Sequence, residues 1–338
     1  VMNYNSINDK NDTFAPKLII NNNYTLRFMK KIITKASILS LGIIMLLSAC
    51  GSGQKYTIEY NLNAGDTFKQ KMDVEMAITQ KAMGQEMKID NNTSTELTYK
   101  VISAENGTYN MSFQYEAIKN ETKMPMMNMT IDSNTTDTIA TGSNMNAMFK
   151  AMTNLPVSYT MDKNGKISNV SGVDKLVESM TNVIDPEIDE MAKGMMMQMV
   201  ESQASDEVVG QLLERTSEFY PTKEVSVGES WNVDSKVNTN GISINANSKI
   251  TLKSVDADVA TLEVDGTIST PEGGITQNMQ GMTATVNMTG TQKGTLKINL
   301  KNGFPVGSDI EQNLEGETEV MGMKMPMTVV TKVKTVNE

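Results

Sequence analysis

Apolar and polar residues alternate with a period of two along most of this 338-residue chain. Tyr56, Ile58, Tyr60 and Leu62 form one such run, Met72, Val74, Met76 and Ile78 a second, and Tyr109, Met111, Phe113 and Tyr115 a third. The pattern returns late, at Met282, Ala284, Val286 and Met288, at Leu296, Ile298 and Leu300, and at Met321, Met323, Met325, Met327 and Val329. Neighbouring side chains of a strand point to opposite faces, so each run predicts a strand that is apolar on one side and wet on the other. Such strands belong to antiparallel sheets, because parallel sheets are covered on both faces and read as unbroken apolar runs. The chain is therefore expected to be mainly β, with one antiparallel lobe over 56–170 and another over 220–338.

Between the lobes, over 171–219, the pattern changes to that of short helices. Ser171 with Asp174 reads as a capping box, Asp185-Pro186-Glu187 as an N-cap ahead of a proline in the first turn, and Ser205-Asp206-Glu207 as a third start. Ile188, Met191, Met195 and Met199 share a stripe of the middle helix; Val209, Leu212, Leu213 and Thr216 share a stripe of the last, before Tyr220-Pro221 stops it. An apolar sheet face has to be buried, and this insert is its expected lid.

The two lobes echo each other. "NAGDTF" (63–68) matches "SVGESW" (226–231), "LTYKVISAENGTYNMSF" parallels "ITLKSVDADVATLEV", and "DKNGKI" parallels "LKNGFPV". Asn164-Gly165 and Asn302-Gly303 are hairpin signals, since both turn positions favour positive φ. A duplicated β unit is expected, although the spacing between the matches differs in the two halves.

Ahead of the first lobe, Ala36 to Ala49 carries no charge over fourteen residues, whereas a membrane-spanning helix needs roughly twenty. Lys30 and Lys31 precede this run and small residues follow it, the layout of a secretory signal. Leu47, Ser48, Ala49 and Cys50 resemble the lipobox of bacterial lipoproteins. The resemblance implies cleavage after Ala49, a diacylglyceryl thioether on Cys50 and a further acyl group such as palmitate on the new amino terminus. Residues 29–49 are then the signal peptide and 50–55 a lipid-anchored tether; with more than one chain, each contributing about 0.8 kcal/mol per buried methylene, anchoring is stable. Residues 1–28, Asn-rich and aperiodic, precede the start expected at Met29 and are expected to be a gene-model extension outside the fold. Gly51 after the cysteine resembles the default for outer-membrane delivery, and "GSGQK" lacks the acidic run associated with surface export in Bacteroidetes. The expected location is the cell envelope, on the outer membrane facing the periplasm.

Six Lys/Arg and two Asp/Glu lie before Cys50, which leaves 24 against 38 and a net charge of about −14 on the remainder. Nucleic acid is excluded as a partner, because phosphate neutralisation needs clustered basic residues. The chain has no histidine, and Cys50 is its one cysteine. Ser-His-Asp and Cys-His catalysis and histidine-based metal centres are therefore absent. No phosphate-cradling glycine motif appears, so no cofactor is expected. A carboxylate-only glycosidase stays open chemically, but no pair of acids is singled out. Asp137-Thr138-Ile139 resembles the O-glycosylation sequon of Bacteroidetes envelope proteins. Trp231 opens a strand and reads as a core anchor.

Twenty-six of the 29 methionines follow Cys50, concentrated in "MPMMNM", "MAKGMMMQM" and "MGMKMPM". Met124, Met127, Met129, Met191, Met195, Met199, Met321, Met323, Met325 and Met327 are the candidates to line an adaptable apolar surface. The competing reading is thioether binding of Cu(I) or Ag(I); without His or Cys to raise affinity, no metal site is assigned. The lipobox, the G-[DE]-[ST]-[FW] turns and the D-x-N-G-x-[IV] hairpin resemble an uncharacterised family of lipoproteins common in Bacteroidetes. More remotely, the chain is similar to the half-barrels of the LolA/LolB lipoprotein carriers. That resemblance implies two curved antiparallel sheets, half-barrel-like, with the helical insert between them, and no catalytic residue. The expected function is non-enzymatic: an envelope lipoprotein, held in the bilayer through acylated Cys50, that binds a lipid-like small molecule or an envelope protein. The alternative is a structural or surface-interaction lipoprotein with a packed core and no ligand.

Overall fold

A computed structural model describes residues 53–82, 84–125, 127–135, 145–184, 194, 197, 205–215, 217–239, 242–279 and 282–337. Residues 1–28, the expected signal at 29–49 with Leu47, Ser48 and Ala49, the lipid-attachment residue Cys50, Asp137-Thr138-Ile139, and Met191, Met195 and Met199 lie outside the described residues.

In chain order the elements are β1 (Lys55–Tyr56), β2 (Thr67–Ala82), β3 (Gln85–Glu105), β4 (Thr108–Met124), β5 (Met127–Asp132), α1 (Met145–Met152), β6 (Val157–Asp162), β7 (Ile167–Ser171), α2 (Val173–Thr181), α3 (Asp206–Glu214) and a 3-10 turn at Ser217–Phe219. They continue with β8 (Val225–Ser226), β9 (Ser230–Thr239), β10 (Ile242–Asp256), β11 (Val259–Ser269), β12 (Ile275–Met279), β13 (Met282–Asn299), β14 (Pro305–Val320) and β15 (Met323–Asn337). The protein is mainly β, and its strands pair with one another antiparallel, as the alternation predicts. The sheets expected on either side of the insert are halves of one 13-stranded sheet, ordered β7-β6-β4-β3-β2-β15-β14-β13-β11-β10-β9, with β5 beside β4 and β12 beside β13. The halves meet along β2 and β15, paired from Gln70↔Asn337 to Gln80↔Met327.

The halves repeat. β2 to β7 follow one another across the sheet as β9 to β14 do, and their entry turns make the same bonds. The Asn63 amide donates to the Asp66 carboxylate (2.8 Å) and Gly65 N donates to Val101 O (2.8 Å). In the second half, Ser226 N donates to the Glu229 carboxylate (2.6 Å) and Gly228 N to Leu252 O (2.7 Å). Both glycines sit at φ +91, a conformation only glycine adopts without strain. A bulge follows each partner, at Ile102 after Val101 and at Lys253 after Leu252. β1 and β8, which lead into these turns, pair with each other.

Buried residues of β4 and β6 (Met111, Phe113, Val157, Tyr159) share one core with those of β10, β11 and β13 (Ile250, Leu252, Leu262, Ile298). These strands stand far apart in the sheet, so the sheet curls until its two flanks meet at one end. The segment before β2 threads that end, with Ile58, Tyr60 and Leu62 buried between the two Asn-Gly hairpins. Tyr60 N donates to Lys163 O (2.8 Å) and Asn61 N to Asn302 O (3.0 Å). Phe304 stacks on Phe68 with centroids 3.9 Å apart, and the Tyr109 and Tyr220 hydroxyls donate to the carbonyls of Tyr60 (2.8 Å) and Gly303 (2.7 Å). Trp231 joins this core and donates from Nε1 to Phe219 O (3.1 Å).

The edges β7 and β9 are not hydrogen-bonded to each other; α3 packs against both, with Gly210 over Ile167 and Val170. Ser205 caps α3 as expected, accepting from Val208 N at 3.2 Å. The cap of α2 is Gly172 at φ +94 rather than Ser171. Ser171 is still paired in β7 with Ser158, and the chain must turn sharply beside Pro156 O, where a Cβ would lie 3.0 Å from the carbonyl. Helix α1 falls inside the stretch expected to be purely β. Its Met148 packs with Met180 and Ile184 in a small second core.

Candidate ligand surface

Paired residues of antiparallel strands share a face, so the register sorts the concave side into rows. One row runs Ser248, Gly266, Gln292, Gln312, Thr331, Met76, Asn91, Thr122 and Met129. It is largely polar, uncharged and internally bonded. Gln312 Nε2 donates to Gln292 Oε1 (3.2 Å), Gln292 Nε2 to Ser248 Oγ (2.5 Å), and Asn91 Nδ2 to Thr122 Oγ1 (2.8 Å). Gly266 makes room for this ladder, since a Cβ there would lie 2.7 Å from Ser248 Oγ. Ser248 and Gln292 are each only 5 % exposed, and buried amides and hydroxyls must be paired in this way.

Towards the closed end the next row, Ile250, Val264, Gly294, Ile310, Val333 and Val74, leads into the core. Towards the other end the next row is Ala246, Ile268, Gly290, Leu314, Val329, Ile78 and Ile89. This second end is formed by the β2–β3, β4–β5, β9–β10, β12–β13 and β14–β15 hairpins. Leu314, Val329, Ile78 and Ile89 are half-buried there, as are Ile310, Val333 and Val74 of the row below on the same central strands, whereas the flank residues Ala246 and Ile268 are buried like Ile250 and Val264.

The sequence-predicted methionines among the described residues divide between two of these hairpins. Met124 faces Met127, with Met129 on the same side, at the β4–β5 tip. Met323, Met325 and Met327 share the inward face at the β14–β15 tip, where Met325 and Met327 are half-buried; Met321, in the turn itself, is 77 % exposed. β2 and β3 lie between the two hairpins and add Met76 and Ile78, which the alternation marks only as strand residues, together with Met87 and Ile89, which no sequence pattern singles out. Among the described residues no three His, Cys, Asp or Glu gather to hold a metal, and no helix is long and apolar enough to cross a membrane.

The outer face carries the charge. Directly behind the polar row run Lys249, Asp265, Lys293, Glu311, Lys332 and Glu75, alternating in sign across six strands. Lys293 is 3.8 Å from Asp265, and Lys332 is 3.8 Å from Glu311. An open depression of about 520 Å³ on this sheet is lined by Asp73, Glu75, Lys119, Asp309, Lys332 and Lys334 among others. Opposite charges facing each other contribute little when exposed, but they disfavour slipped registers.

At the closed end, burial raises the Tyr60 hydroxyl to about 12 and pushes those of Tyr99, Tyr159 and Tyr220 above the ordinary tyrosine value. These groups are packing elements held neutral, not acids or bases poised near neutrality.

No curated protein matches this chain in sequence. Among solved structures, lipovitellin, described for its lipid–protein interactions, is similar at 6 % identity and a TM-score of 0.45 over 82 % of this chain and 25 % of its own; this chain thus spans a quarter of lipovitellin. The translocator domain of the autotransporter NalP from Neisseria meningitidis matches at 7 % identity and a TM-score of 0.20, over 91 % of this chain and 97 % of that domain. An outer membrane channel from Pseudomonas putida F1 matches at 7 % identity and a TM-score of 0.20, over 82 % and 97 % of the two chains. Residues 106–305, from the β3–β4 turn to the start of β14, match a family of unknown function, DUF6263. That match covers more than half of the chain, and the protein belongs to this family.

Proposed function

We propose that this protein is a lipid-anchored envelope lipoprotein that holds an apolar molecule, without catalysing a reaction, on the concave face at the open end of its sheet. The observation that carries the reading is the half-buried apolar stretch Leu314, Val329, Ile78 and Ile89 on neighbouring strands beyond the polar belt, continuing the row of buried Ile268. Apolar surface left half-covered in this way is characteristic of a binding face. The flexible thioethers of Met124, Met325 and Met327 suit a ligand of variable shape. The run from Ala36 to Cys50 supports the anchor, and Gly51 supports delivery to the outer membrane on its periplasmic side. An uncharged interior without histidine supports a binding rather than a catalytic role.

The test is to purify the chain from Gly51 onward and analyse it by native mass spectrometry. Co-purified lipid-like molecules, lost when Met325 and Val329 are replaced by aspartate, are expected. An empty, sharply melting protein would instead favour the structural alternative with no ligand.

A further inference from the structure

Charge on this protein is segregated by face. The register turns Asp73, Glu75, Lys332 and Lys334 outward with their neighbours, and places no charged residue of β2, β3, β10, β11, β13, β14 or β15 on the concave side. Half of one strand's residues face inward, in a chain of which 21 % are charged, so the exclusion is systematic. What the concave face offers instead is neutral hydrogen bonding, in the row of Gln292, Gln312, Thr331 and Asn91 and, beside Asn91, from Thr93 and Asn120. In that row Gln312, Thr331 and Asn91 are half-buried, next to the apolar Leu314, Val329, Ile78 and Ile89 of the row towards the open end. Gln292, buried behind Gln312, holds its amide in place through the 3.2 Å bond.

A carboxylate or phosphate laid on this face would lose its water and meet no cation to offset the loss. A hydroxyl, ester or amide would exchange its water bonds for those of neutral side chains that donate and accept. We propose that the concave face selects uncharged amphiphiles, molecules whose neutral head lies on the Gln312–Thr331–Asn91 row and whose acyl chain runs over Leu314, Val329 and Ile78 towards the open end. This rests on the reading of the open end as an apolar-ligand site and names the class of ligand.

The chain from Gly51 onward contains the whole compact unit Gln54–Glu338 and is titrated at pH 8 with monooleoylglycerol, oleate and hexadecane, with native mass spectrometry as the readout. Monooleoylglycerol is expected to bind at least about tenfold more tightly than either oleate or hexadecane. The double variant Gln312→Leu/Thr331→Val is expected to lose that margin over hexadecane while keeping its melting temperature. Oleate binding as tightly as monooleoylglycerol, or a double variant with unchanged preference, overturns the selectivity alone. Failure of all three to bind removes the apolar-ligand reading and the selectivity with it. Should the double variant unfold, Gln312→Met alone, close in volume to glutamine, gives the same comparison.

Discussion

The two ends of the sheet are built from the same strands and differ in what stands opposite them. At the closed end the flanks of the sheet meet, so Leu252, Ala260, Leu262 and Ile298 are fully buried and aromatic rings of Tyr60, Phe68 and Phe304 fill the gap. Towards the open end Ile78, Val329 and Met325 of the central strands are half-buried, as Val74, Ile310 and Val333 of β2, β14 and β15 are lower down, while Ala246 and Ile268 on the flank are buried. Alternation specifies which face of a strand is apolar, but whether that face is core or binding surface depends on what stands opposite that strand.

The largest expected effect separates the ends by pH. Below pH 10 the buried tyrosines are protonated in both folded and unfolded chains. Above it the unfolded chain releases protons that folded Tyr60, Tyr99, Tyr159 and Tyr220 retain, because burial raises each above its ordinary value. The unfolded state then binds fewer protons, so stability falls as pH rises from about 10 to about 12, by up to about 1.4 kcal/mol per pH unit for each such group. Urea unfolding at pH 9, 10 and 11 measures it; a flat stability across that range would mean the closed end is not packed as described.

Next comes a glycine comparison. In Gly303→Ala the new Cβ would lie 2.0 Å from Glu59 O, on the strand-like segment that crosses the closed end. A loss of about 3 kcal/mol or more is expected. Gly322→Ala, in the β14–β15 turn with open space around it and φ +79, carries only the backbone strain, about 1 kcal/mol. Equal losses would contradict the difference between the ends. Tyr109→Phe removes one buried hydrogen bond to Tyr60 O and is expected to cost about 1 kcal/mol by the same melts.

The smallest effect on stability is chemical. Hydrogen peroxide should convert Met321, Met323, Met127 and Met87, which are 41–77 % exposed, to sulfoxides well before Met111, Met148 and Met161, which are at most 5 % exposed. Peptide mass mapping orders the sites, and a uniform rate would contradict the described burial.

Much of this fold was legible in the alternation alone, because its period is local and survives without knowledge of partners. The repeat was legible through Gly65 and Gly228 and through the two Asn-Gly hairpins, where backbone geometry restricts the residue type. The union of the halves was not, since nothing in β2 or β15 marks the other as its neighbour. The polar row was hidden for a related reason. Ser248, Gln292, Gln312 and Thr331 are each a single polar residue interrupting an apolar run, and only the register lines them up. Helix α1 was missed because eight residues carry too few turns to establish a period. The Gly172 cap was missed because a close approach to Pro156 O is a tertiary constraint.

The central claim is that an apolar ligand occupies the concave face at the open end and nowhere else on the sheet. Photolysis of the chain from Gly51 onward with a diazirine-labelled monoacylglycerol, followed by peptide mapping, tests it directly. Adducts are expected on Leu314, Met325, Val329, Ile78 and Met124, with none on the outward ladder of Lys249, Lys293 and Lys332. Adducts spread evenly over both faces, or confined to the outer one, would contradict the account.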